Sequence, residues 1–150
     1  MHERFPVESE HADYTNVMYT ESNVKIRTLA IALCILPAIV FASDVEEGAK
    51  HSLDLWEPRG VQFQGEILTV ISKERQVTDT IYHAMIGGLC MGLIVRPKSL
   101  NGVSEIRILN QFGRQGYVFE GGATECAEIV DMPISQTKIH VLGMTHLYTN

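Results

Sequence analysis

The stretch 77–95, VTDTIYHAMIGGLCMGLIV, closed by Arg96 and Pro97, limits what this chain can fold into more than any other. Val77, Ile81, Ala84, Met85, Gly88, Met91 and Gly92 fall on one side of a helix of 3.6 residues per turn, which predicts a helix over 77–95. Thr78 or Asp79 caps its start, and Pro97 cannot continue it. Ala84, Gly88 and Gly92 recur every four residues, a ridge of small side chains on which a neighbouring backbone can lie close. A sheet is the expected neighbour. Each glycine in a helix costs about 1 kcal/mol relative to alanine, so packing has to compensate. With His83 inside it, the stretch falls short of the roughly 20 apolar residues that a membrane span needs.

This helix also carries Cys90. The other cysteines are Cys34 and Cys126, and Cys34 lies in a segment that reads as a secretory signal. The run 29–42, LAIALCILPAIVFA, follows Lys25 and Arg27 and precedes the acidic SDVEE at 43–47. A basic flank, a short apolar run and a small residue at the cut describe a signal peptide over 18–42, cleaved between Ala42 and Ser43. An uncleaved anchor is the alternative. Residues 1–17 carry four acids against Arg4 alone, and read as a disordered extension or as sequence ahead of a true start at Met18. Removal of Cys34 with the signal leaves Cys90 and Cys126, which in a small exported domain predicts a disulfide.

The exported part divides into an acidic, irregular segment at 43–60 and a single α+β domain at 61–150. Val61, Phe63 and Ile67 alternate through a strand over 61–71, with Gly65 as a bulge. SEIRILN at 104–110 and Tyr117-Val118-Phe119 flank a Gly-Arg-Gln-Gly turn and predict a β-hairpin. ATECAEIVD at 123–131 reads as a short helix capped by Thr124, with Glu125 suiting its positive end. KIHVLGMTHLY at 138–148 alternates as a last strand. The resulting β-α-β-β-α-β order predicts a ferredoxin-like fold, a four-stranded antiparallel sheet with two helices on one face. In that fold the end of the first helix lies beside the start of the second, which is where Cys90 and Cys126 fall.

Function is less legible. The formal net charge of −6 without a basic cluster argues against a nucleic-acid partner and against a polybasic membrane surface. No motif asks for a cofactor or a metal. On one strand His140 and His146 would stand roughly 20 Å apart, too far to share an ion. No nucleophile elbow occurs, and the carboxylates are scattered. The hairpin tip gathers Phe112, Arg114 and Tyr117, side chains that serve as interface anchors. The sequence therefore points to an exported, disulfide-stapled binding protein, with another envelope or secreted protein as partner. One alternative is a small extracytoplasmic enzyme whose acid and base groups, His83, Glu105 and His140 among them, meet only in three dimensions. The other is a membrane-tethered subunit held by 29–42.

Overall fold

The computed structural model describes residues 37–150 of the chain. The expected extension at 1–17 and the expected signal peptide as far as residue 36 lie outside the described residues. The elements are α1 (Pro37–Ser52), a 3-10 turn (Asp54–Trp56), β1 (Gly60–Gln64), β2 (Ile67–Ile71), α2 (Asp79–Val95), β3 (Glu105–Leu109), β4 (Gln115–Phe119), α3 (Ala123–Asp131), α4 (Ile134–Gly143) and β5 (Thr145–Thr149). The fold is α+β, as expected, but the sheet is mixed and has five strands in the order β1-β2-β3-β4-β5.

Two corrections to the ferredoxin-like expectation follow from how the chain turns. The run 61–71 is a hairpin, not one bulged strand. Gly65 takes φ +67°, so the chain reverses through Gly65 and Glu66 and pairs Gln64 with Ile67. This adds a strand, and β2 then pairs with β3 directly and in parallel, Leu68 beside Ile106 and Val70 beside Ile108, with α2 as the crossover. In a ferredoxin-like sheet another strand would separate those two. β2 suits an interior place, since its other face carries Ile67 and Ile71 as well.

The second correction is the last element. Residues 134–143 form helix α4, and only 145–149 remain as β5, antiparallel to β4. The alternation of Ile139 and Val141 suggested a strand, yet Ile139 is exposed and Val141 alone of α4 is buried. The segment 43–60 is likewise not irregular. Helix α1 runs unbroken through the expected Ala42–Ser43 cut to Ser52, and the 3-10 turn follows. Its Val45 and Ala49, with Leu53 just beyond, are core residues, all C-terminal to that cut.

Helix α2 has nearly the predicted bounds, and the Thr78 hydroxyl accepts from Ile81 N–H as its cap. Its buried face differs from the predicted stripe. Tyr82, Met85, Ile86, Leu89 and Cys90 are buried, while Ala84 and Met91 are exposed. The bulkier set removes more apolar area from water than the glycines could, so it takes the sheet. The Gly88–Gly92 ridge receives α1 and the 3-10 turn instead of the sheet. A Cβ on Gly88 would lie 3.1 Å from the Trp56 ring, and one on Gly92 would overlap Ser52 Oγ and Cβ. Gly87, one position away, has nothing within 4 Å.

Gly87 and Gly92 give a signed prediction. Gly87→Ala gains up to about 1 kcal/mol from helix propensity alone. Gly92→Ala loses about 1–2 kcal/mol, because the overlap with Ser52 outweighs that gain, and Ser52→Gly in the same chain recovers most of the loss. Urea titration of the three variants checks this. Equal effects at Gly87 and Gly92 would refute the packing of α1 on α2.

Helix α3 begins after Gly122, whose N–H donates to the Glu125 carboxylate at 2.8 Å. Glu125 therefore caps the start expected of Thr124. Cys90 of α2 and Cys126 of α3 are joined in a disulfide, with Cα atoms 4.6 Å apart and both side chains fully buried. Among the described residues no helix is long and apolar enough to cross a membrane.

Candidate functional site

The loop between β3 and β4 is built on Asn110. A strand-ending asparagine ahead of a tight turn can hydrogen-bond the backbone that follows it. Asn110 is 4% exposed, and its Oδ1 accepts from the N–H groups of Phe112 (3.2 Å) and Arg114 (3.1 Å). Its Nδ2 donates to the Arg75 carbonyl at 3.3 Å. Main-chain bonds add to this. Asn110 N–H donates to Gln115, Gly113 N–H to Asn110 and Gln111 N–H to Glu74. Asn150 N–H donates to Arg114, and Gly113 takes φ +68° to close the turn.

The loop is thus pinned to the 72–76 connection and to the end of β5, and it presents an aromatic ring and a cation. Phe112 is 63% exposed, and Arg114 beside it is also exposed. Tyr117 does not join them. Strand alternation turns it toward the helices, where its ring stacks on Tyr82 with centroids 4.8 Å apart. Of the three residues read as a tip, two stand at the surface and the third packs. Sequence reasoning gave Asn110 no role of its own, although an Asn two residues before a Phe-Gly pair was there to be read.

A second feature lies between α2 and α4. Asp79 Oδ1 is 3.1 Å from His83 Nε2, and Asp79 Oδ2 is 3.2 Å from Lys138 Nζ. The hydrogen bond to Lys138 holds the Asp79 carboxyl below its ordinary range; partial desolvation opposes this and His83 adds to it. His83 Nε2 is buried and, though 3.1 Å from Asp79 Oδ1, makes no well-directed hydrogen bond. These groups line a cleft of about 290 Å³ whose walls are Gly87, Ile129, Ile134 and Val141. Lys138 was hidden from sequence reasoning because its segment read as a strand.

The trio named for an enzyme does not share this cleft. Glu105 pairs with Arg107 on the side of the sheet turned away from α2, while His83 is on α2. His140 belongs to α4, so it is not on one strand with His146, which is on β5 and within 3.1 Å of Glu120. Among the described residues no group of three His, Cys, Asp or Glu side chains is placed to hold a metal ion.

No family model, curated protein or solved structure matches this chain. The functional reading therefore rests on the chemistry of the site itself.

Proposed function

We propose that this is an exported, disulfide-stapled protein that works by binding another envelope or secreted protein through the β3–β4 tip, as an inhibitor, accessory subunit or envelope component. One observation carries the reading. Phe112 is 63% exposed on a loop whose main chain is held by a buried asparagine. A large aromatic in water on a rigid support loses little conformational freedom when a partner covers it, and Arg114 adds a charge and a planar donor. Export is supported by the buried Cys90–Cys126 disulfide, since such bonds persist outside the reducing cytosol. It is supported too by the apolar run 29–42 ahead of an acidic stretch. A mature N-terminus at Ser43, found by N-terminal sequencing, is the expected form.

The test separates binding from folding. Phe112→Ala and Arg114→Ala should shift stability by no more than about 0.5 kcal/mol, because both side chains are exposed. Both should lose the partner that the unaltered protein retains from an envelope extract. Asn110→Ala should cost about 1–2 kcal/mol by releasing the loop and leaving buried groups unpaired, and should lose the partner as well. Full retention of the partner by both tip variants would place binding elsewhere.

A further inference from the structure

The two edges of the sheet are treated differently. On β1 the N–H of Phe63 is taken by the Glu46 carboxylate of α1 at 2.9 Å, and α1 lies against that strand. An edge occupied in this way offers a poor template for another strand. On β5 the register decides which main-chain groups are free. Glu120 N–H donates to Met144 and Asn150 N–H donates to Arg114, so the even-numbered residues of this stretch bond to β4. The N–H and C=O groups of Thr145, Leu147 and Thr149 then point outward, and among the described residues none of them has a main-chain or side-chain partner. The strand carries no lysine, no proline and no bulge, the devices by which edges are usually blunted. Leu147 at its centre is 70% exposed.

The occupant is written in the strand itself. Thr145-His146-Leu147-Tyr148-Thr149 reads almost the same in both directions. When paired antiparallel with another copy about a two-fold axis at Leu147, leucine meets leucine, threonine meets threonine, and His146 meets Tyr148. The outward groups of Thr145, Leu147 and Thr149 then exchange both of their main-chain bonds, and no like charges are opposed. A strand of unrelated sequence would find the same backbone but not the matched side chains. We infer that this protein pairs with a second copy of itself through β5, continuing the sheet across a two-fold axis. The arrangement sends the two β3–β4 tips to opposite ends of the joined sheet, since each tip adjoins the C-terminal end of its own β5. The inference is independent of whether those tips bind a partner.

Sedimentation equilibrium of the full chain, with its disulfide formed, tests the pairing. The expected result is a monomer–dimer equilibrium that Leu147→Lys shifts toward monomer by at least about tenfold, as a cation brought against its own copy must. Circular dichroism should show both forms equally folded, because Leu147 is mostly in solvent. In a Cys34→Ser background, Leu147→Cys should oxidise readily to a covalent dimer, because directly opposed residues in such a pair have Cα atoms about 5.5 Å apart. Leu55→Cys, at a more exposed position on the 3-10 turn, serves as the control and should not. A wild-type chain that stays monomeric at millimolar concentration overturns the inference. So does a Leu147→Lys form that dimerises as well as wild type, or equal cross-linking at the two positions.

Discussion

Replacing both cysteines, Cys90→Ala with Cys126→Ala, should lower the free energy of unfolding by about 3–4 kcal/mol in the chain-entropy account of cross-links. The bridge spans 36 residues of sequence, and that loop contains all of β3 and β4. Cutting it enlarges the unfolded ensemble while leaving most native packing in place. Both side chains are fully buried between α2 and α3, and alanine fills their place without bringing in an unpaired polar atom. A domain of this size holds about 5–15 kcal/mol in total, so the loss is a large share of it. Urea unfolding of the variant beside the oxidised protein checks the number. The variant should also show a steeper denaturant dependence, because its unfolded chain is more expanded. A loss below about 1 kcal/mol would mean that the cross-link does little for the fold, and would remove its weight from the argument for export.

Truncating Tyr82 should cost as much or more, about 3–5 kcal/mol for Tyr82→Ala, the range for removing a large buried aromatic. The side chain is fully buried and ties four elements together. Its ring stacks on Tyr117 of β4, and its hydroxyl lies 2.7 Å from Thr145 Oγ1 at the start of β5. Thr145 Oγ1 in turn donates to the Val141 carbonyl of α4 at 2.6 Å. Tyr82→Phe should cost only about 1 kcal/mol, since it removes one hydrogen bond and keeps the packing.

Burial also pushes the Tyr82 hydroxyl up to about 12, with the Thr145 bond opposing that shift. An unfolded tyrosine gives up its proton near pH 10, whereas the folded one keeps it to about 12. The folded state therefore holds more protons across that interval, and stability should fall as the pH rises from 10 to 12. Below pH 10 this group should add no slope. Midpoints measured across the interval for wild type and Tyr82→Phe isolate the effect, which appears as a shallower decline in the variant. Equal slopes would show that Tyr82 ionises as readily in the native state as in the unfolded chain.

The local signals in the sequence were sound where a single segment decides its own conformation. Helix α2 starts at the cap residue Thr78 and stops ahead of Pro97, and the β3–β4 hairpin and α3 lie where turn residues and spacing placed them. The segment 134–143 misled because Ile139 and Val141 are β-branched and alternate. A helix that buries one side chain carries almost no periodic signal to set against that. The acidic stretch after residue 43 misled for a similar reason. Val45, Ala49 and Leu53 are spaced for one helical face, yet the charges around them dominate the composition.

The tip shows the same division. Phe112 and Arg114 could be picked out from residue type, but Tyr117 could not be separated from them until the strand register turned it inward. The Asp79–Lys138 pair was out of reach, because it joins two helices of which one was read as a strand.

By itself the sequence determined the class of fold, the extent of its central helix and which two cysteines meet. Those depend on spacing along one segment and on the even pair left once Cys34, in the apolar run 29–42, is set aside. The cysteine pairing stands even though the topology that suggested it does not, because α2 and α3 both return over the same side of the sheet. Only the tertiary structure decided the strand order, the parallel β2–β3 pair and which face of α2 is buried. Each of these is a competition between apolar surfaces far apart in the chain, and the combination that removes the most area from water wins.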